Sequence, residues 1–177
     1  MRSTHVPPPI GLYDPAYERD ACGTGFVASI DGQASHAIVR SAIQCVCNVT
    51  HRGAVSADAK TGDGAGILTQ IPHAFFAKLL AKLKAEPVAP GDLAVGVIFL
   101  PQDAKAAAQA QRLAEEAIKG RGLRLLGWRE VPVDPSCLGE QALKTLPAIR
   151  HALMARPPSI TAGDFERQLF LVRRRIE

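Results

Sequence analysis

The run Leu93–Leu100, LAVGVIFL, holds eight residues without a charged or hydrogen-bonding side chain, and Pro101 stops it. A continuous apolar run of that length predicts a buried strand. It falls far short of the roughly 18 residues that a membrane helix needs, and no other run approaches that length, so a membrane-spanning chain is not expected. Ala104–Lys119 follows as an alanine-rich amphipathic helix, ended by Gly120 and Gly122.

The remaining pattern alternates strands and helices. Thr24–Ile30 alternates as a strand does, and Asp31-Gly32 is a turn signal. Ser35 caps a helix expected from about His36 to Val49, with Ile38, Val39, Ala42, Ile43 and Val46 at helical spacing. A glycine-rich loop spans His51 to Gly66, and Ile67–Ile71 reads as a second strand. Pro72 opens a helix through Phe75, Phe76, Leu79, Leu80 and Leu83, ended by Pro87. Leu123–Val131 is a strand interrupted by Gly127. Residues 132–164 read as loop with a short helix near Ala148–Ala155, and Phe165–Ile176 as a closing strand-like segment.

At 177 residues and 47% hydrophobic content the chain can build one domain with a core. The net charge of +4 owes three of its positive residues to Arg173, Arg174 and Arg175. Without them the balance is near neutral, and no basic face interleaved with aromatics points to nucleic acid. The four cysteines, Cys22, Cys45, Cys47 and Cys137, form no CxxC pair, so no metal site is expected. Cys45 and Cys47 read as small hydrophobes of a helix, and free thiols suit the cytoplasm. Residues 1–21 lack the apolar core of a secretory signal.

Gly62, Gly64 and Gly66 write GDGAG, which invites a nucleotide-binding reading. A phosphate loop needs strand, then glycines, then helix, so that the helix N-terminus meets the phosphate. Here the order is inverted, and no GK[ST] lysine follows. The glycines read better as permitting tight turns or close backbone approach.

From Gly11 the text runs GLYDPAYERDACGTGFVASIDG, then SHAIVRSAI, then HRGAVSADAKTGDGAGILTQIPHAFF. This resembles the beginning of the large chain of glutamate synthase, whose first domain is a class II glutamine amidotransferase. GVIFLP, LGWREVPVD and FERQLFLVRRR continue the resemblance, which covers nearly the whole chain from about residue 10. DACGTGF, HRG and TGDGAGI in that order are specific together, unlike any one of them alone.

The resemblance implies an α+β fold: an N-terminal-nucleophile hydrolase, a four-layer αββα sandwich of which this chain holds an incomplete part. It implies that residues 1–21 are a leader or propeptide, and that residues 22–177 are the N-terminal portion of the amidotransferase domain. Cys22 is then the catalytic nucleophile. A thiol of pKa about 8.5 is mostly protonated at neutral pH and needs a base. After cleavage of peptide bond 21–22, the α-amine of Cys22, with a pKa of about 8, can serve. Before cleavage that nitrogen is an amide and cannot. The implied reaction hydrolyses L-glutamine to glutamate and ammonia through a thioester, the ammonia aminating 2-oxoglutarate in the parent enzyme.

Arg52 of HRG matches the family position that binds the substrate α-carboxylate, a role suited to a planar guanidinium with two parallel donors. His51 reads as structural or positioning. Asp58 and Asp63 could meet the glutamine amine or simply shape the loop, and neither is assigned. No cofactor is expected in this chain; FMN and an iron–sulfur cluster belong to downstream domains of the parent enzyme. The expected partners are L-glutamine and a downstream synthase domain or second chain, with no nucleic acid and no membrane.

The family's oxyanion Asn-Gly lies further downstream, and the one asparagine here, Asn48, is not followed by glycine. Donors of that kind supply roughly 3–4 kcal/mol of barrier lowering. A non-catalytic remnant that binds glutamine or a partner subunit is therefore the alternative expectation.

Overall fold

Ser35 starts the first helix as its sequence position predicts. Its Oγ accepts the Ile38 N–H at 3.4 Å, and helix α1 runs His36–Asn48. The structure, a computed structural model, describes residues 8–11, 23–62 and 64–177. It divides into two units, Met1–Leu68 and Thr69–Glu177.

In the first unit α1 is the one element of any length among the described residues. Ile38, Val39, Ala42, Cys45 and Val46 form a half-buried stripe along it. Asp31-Gly32 turns as expected, with the Gly32 N–H donating to Ser29 O at 3.2 Å. The two strands expected here do not form. Residues 24–30 and 67–71 have no ladder partner, although Thr24–Ile30 alternates. A strand is made by its pairing, and a local pattern cannot supply the second edge.

The second unit begins with α2, His73–Lys82, behind Pro72. Its end is a two-bond cap: Ala85 N donates to Leu80 O at 2.9 Å and Lys84 N to Ala81 O at 3.1 Å. Lys84 holds the left-handed position, φ 54°. Strand β1, Leu93–Leu100, leads to α3, Ala104–Gly120, which Asp103 caps by accepting the Ala106 N–H at 2.8 Å. Strand β2 covers Arg124–Glu130. A 3-10 turn at Pro135–Cys137 and the short helix α4, Glu140–Lys144, precede β3, Ala148–Ala155; α5, Ala162–Ile176, closes the chain.

The architecture is α+β. Three antiparallel strands lie in the order β1-β3-β2, with β3 paired along all eight residues to β1. Residues 148–155 are thus the central strand and not the short helix that AIRHALMA predicts. Ala, Leu, Met and Arg favour helices by tenths of a kcal/mol each, a weak preference against two ladders and burial on both faces. Ala152 and Leu153 are fully buried. Residues 165–176, expected as a strand, are helix instead. Phe165 and Val172 point into the core with Leu169 beside them, a spacing that only a helix places on one face. Thr161 caps this helix, its Oγ1 accepting the Asp164 N–H at 3.1 Å.

The sheet is covered on both sides. Ala94, Ile118, Leu123, Ala152, Met154, Phe165 and Val172 make the core beneath α3 and α5. Phe76, Leu80, Leu93 and Leu153 make the core beneath α2. Gly127 interrupts β2 as anticipated. Leu125 faces Met154 and Gly127 faces Leu153, so Leu126 is a bulged extra residue. The bulge shifts the alternation so that Leu125 and Trp128, three residues apart, both pack toward α3 and α5, while Leu126 packs toward α2. Gly127 takes φ +154°, and a Cβ there would stand 3.4 Å from Leu83 Cδ1.

Polar residues seam α3 to the sheet. Trp128 Nε1 donates to Glu115 Oε1 at 2.8 Å, Gln111 Nε2 donates to the same oxygen at 3.2 Å, and Arg150 donates to Gln111 Oε1. Arg156 ties the sheet's other end, donating from Nε to Asp92 Oδ1 at 2.7 Å and from Nη1 to Ile160 O at 2.7 Å. No helix of the described residues is long and apolar enough to cross a membrane.

Candidate active site

The segment that follows Cys22 rests on α1. Gly25 lies so close to the helix that a Cβ would stand 2.5 Å from the Cys45 Sγ. A side chain at this position would force the sulfur or the backbone to move. Cys45 is half-buried there and offers a packing surface.

The other end of α1 delivers the HRG triplet. Val49 closes the helix, donating to Cys45 O and Val46 O at 3.3 Å, and Thr50–Arg52 continue as one 3-10 turn. Thr50 Oγ1 donates to Cys47 O at 2.6 Å, satisfying one of the helix's terminal carbonyls. His51 Nδ1 lies 3.1 Å from Asn48 O. A carbonyl only accepts, so this contact puts the proton on Nδ1 and leaves Nε2 an acceptor in the neutral ring. Gly53 N donates to Thr50 O at 3.1 Å, closing the turn that carries the Arg52 backbone.

Beyond Arg52 the loop folds back on itself. Val55 and Gly62 form an antiparallel bridge, and Ser56 N donates to Thr61 O at 2.7 Å. Gly62 sits where a Cβ would come 3.0 Å from Ala54 O, so part of the glycine cluster serves close backbone approach. Asp58 organises the tip. Its Oδ1 accepts from Lys60 N at 3.0 Å and Thr61 N at 2.7 Å, and its Oδ2 from Thr61 Oγ1 at 2.6 Å. The Thr61 hydroxyl, followed by the Thr61 and Lys60 amides, holds the Asp58 carboxyl below the usual carboxylate range. Of the two roles open to Asp58, shaping the loop is the one these bonds perform.

Cys22 and Asp63 lie outside the described residues, as does nearly all of the 1–21 segment. Of the two expected site residues the structure therefore describes Arg52, by its backbone. No group of three or more His, Cys, Asp or Glu side chains among the described residues could hold a metal ion. Sequence reasoning missed the support that Cys45 gives Gly25; a glycine three residues past DAC was the available signal.

The model of the class-II glutamine amidotransferases matches residues 22–177, beginning at Cys22 itself. The chain belongs to this family. Among curated proteins, this amidotransferase chain is 41% identical over 166 residues to the glutamate synthase [NADPH] large chain of Azospirillum brasilense, covering 93% of the chain and 11% of that relative. It is 39% identical over 175 residues to glutamate synthase [NADH] of Schizosaccharomyces pombe, covering 96% of the chain and 8% of the relative. Ferredoxin-dependent glutamate synthase 2 of Synechocystis is 40% identical over 157 residues, covering 88% of the chain and 10% of the relative. The amidotransferase chain thus spans about a tenth of the length of these relatives.

Proposed function

We propose that residues 22–177 are the N-terminal portion of the glutaminase domain of a glutamate synthase, with residues 1–21 a propeptide whose removal frees the Cys22 α-amine. The observation that carries this reading is the family match that starts at Cys22. The identities of 39–41% to glutamate synthases of three electron-donor types support it.

In this reading the Cys22 thiol attacks the side-chain carbonyl carbon of glutamine. The α-amine takes the thiol proton and passes it to the departing amide nitrogen, which leaves as ammonia. Water then hydrolyses the glutamyl thioester to glutamate. Arg52, offered at the end of α1 on a turn tied by Thr50 and Gly53, grips the substrate α-carboxylate. Asp58 sets the shape of the loop behind it. The downstream Asn-Gly donors, the remaining strands of an αββα sandwich and the FMN and iron–sulfur groups belong to the parent polypeptide or to a second chain. The ammonia would serve reductive amination of 2-oxoglutarate there.

The test is intact mass followed by labelling. The expected result is loss of residues 1–21, then one covalent adduct at Cys22 from an electrophilic glutamine analogue, absent in Cys22→Ala and slowed at least about tenfold in Arg52→Lys. A folded chain that stays uncut and unlabelled would overturn the catalytic reading in favour of a remnant that only binds.

A further inference from the structure

The second unit runs β1-α3-β2-β3-α5, and β3 lies antiparallel between β1 and β2. β1 and β2 are therefore parallel, joined by a helix and split by a third strand, which is the split βαβ arrangement. β1 bonds to β3 on one side and, among the described residues, ends the sheet on the other. Exposed edges are normally blunted by charge, proline or brevity, and LAVGVIFL has none of these. Val97 and Phe99 are 53% and 65% exposed on this strand, and Leu113 of α3 is 58% exposed beside it. A groove of about 700 Å³ is bounded by the Ile98–Leu100 end of β1, by α3 with Leu113, Glu116 and Arg121, and by Arg175 and Ile176 at the end of α5.

From this we infer that the free edge of β1 is a strand-accepting site, and that its occupant is the extended segment following α5 in a polypeptide of the relatives' length. Helix α5 brings the chain to the Phe99–Leu100 end of β1, where its last residues line the groove. A segment continuing from there toward Leu93 runs antiparallel to β1. It lands on the adjacent free edge, in keeping with the rule that consecutive elements are neighbours in space. The result is a βαββαβ unit with strand order β4-β1-β3-β2. Side chains on one face of the new strand fill the groove against Leu113 and Ile176, and those on the other cover Val97 and Phe99. The occupant is therefore apolar on the face over Val97 and Phe99, while its other face meets Leu113 and Ile176 together with Glu116, Arg121 and Arg175. This inference rests on the glutamate synthase reading, which supplies the following segment.

Amide hydrogen exchange by NMR tests it on two chains. One is the 177-residue chain; the other is elongated after Glu177 by the next stretch of the Azospirillum brasilense relative, about 25 residues, enough for a turn and a strand. The alternate β1 amides that point away from β3 are expected to exchange at least about 100-fold more slowly in the elongated chain, which remains monomeric by light scattering. The same segment as a free peptide added to the 177-residue chain should protect the same amides saturably. Unchanged outward amides in both experiments overturn the inference. So does a dimer paired through β1 that persists in the elongated chain, since the edge then belongs to a second copy. The readout is independent of Cys22 labelling, so either proposal can fail alone.

Discussion

Gly25 packs against Cys45: a Cβ at position 25 would stand 2.5 Å from the Cys45 Sγ, so a larger residue there must displace the sulfur or the backbone. The contact fastens the stretch just after Cys22 to the helix that ends in the HRG turn. Gly25→Ala is expected to destabilise the chain by about 1–3 kcal/mol, the usual cost of overpacking. Removing the sulfur should relieve it, so Gly25→Ala with Cys45→Ala should cost less than the sum of the two single changes. A double-mutant cycle by denaturant unfolding measures this, and strict additivity would refute the contact.

Arg156 and Asp92 clamp the start of β1 to the end of β3. Arg156 N also donates to Asp92 O at 2.8 Å, so backbone and side chains both bridge the pair. The side chains are 26% and 31% exposed, which makes this pair worth more than a surface ion pair. Arg156→Ala is expected to lower stability by about 1–3 kcal/mol, because it strands the Ile160 carbonyl as well as the Asp92 carboxylate. Arg156→Lys should recover only part of this, since one ammonium cannot reproduce the forked geometry. Equal stability of Ala and Lys variants would argue against the clamp.

His151 should make stability depend on pH. Burial, and secondarily the positive charge of Arg129, hold its pKa below the ordinary 6.5. Its Nδ1 lies 3.4 Å from Arg129 Nη1, and its ring 5.8 Å from that of Phe76. The unfolded chain therefore takes up the proton first as pH falls. The stabilisation is full above pH 6.5, declines as pH drops through 6.5 toward the folded pKa, and levels off below it. Unfolding measured at pH 7.5, 6.5 and 5.5 should show this slope in the parent chain and a shallower one in His151→Gln. Identical slopes would exclude His151 as the source.

Lys84 ends α2 in the left-handed region at φ 54°, a conformation that costs a residue with a Cβ about 1 kcal/mol. Lys84→Gly is expected to stabilise the chain by about 0.5–1 kcal/mol. Thermal unfolding that shifts downward instead would show that the lysine side chain contributes more than the backbone strain costs.

What could be read from residues alone was what short-range physics sets. Ser35 announces the start of α1 because an N-cap acts on amides three residues away. LAVGVIFL announces β1 because a short apolar run bounded by Pro101 gains by burial, as Leu93, Ala94 and Leu100 do, although Val97 and Phe99 stay exposed. The candidate chemistry was legible for a different reason. Cys22 and Arg52 stand inside motifs whose residue types carry their own reactivity and donor geometry.

Tertiary structure alone decided the rest. AIRHALMA becomes the central strand because β1 and β2 pair with it on both sides, and those partners lie far away in sequence. FERQLFLVRRRI becomes a helix because its apolar face, Phe165 to Val172, meets a sheet that local preference does not know about. Asp58 could have reached for substrate until the folded loop brought two amides and a hydroxyl to its carboxylate. The sequence determined the helix cap at Ser35, the strand β1 and the candidate reactive groups, whose physics acts within a few residues. Which segments pair, which face is buried and which polar groups are already satisfied depend on contacts between distant residues, and only the fold supplies those.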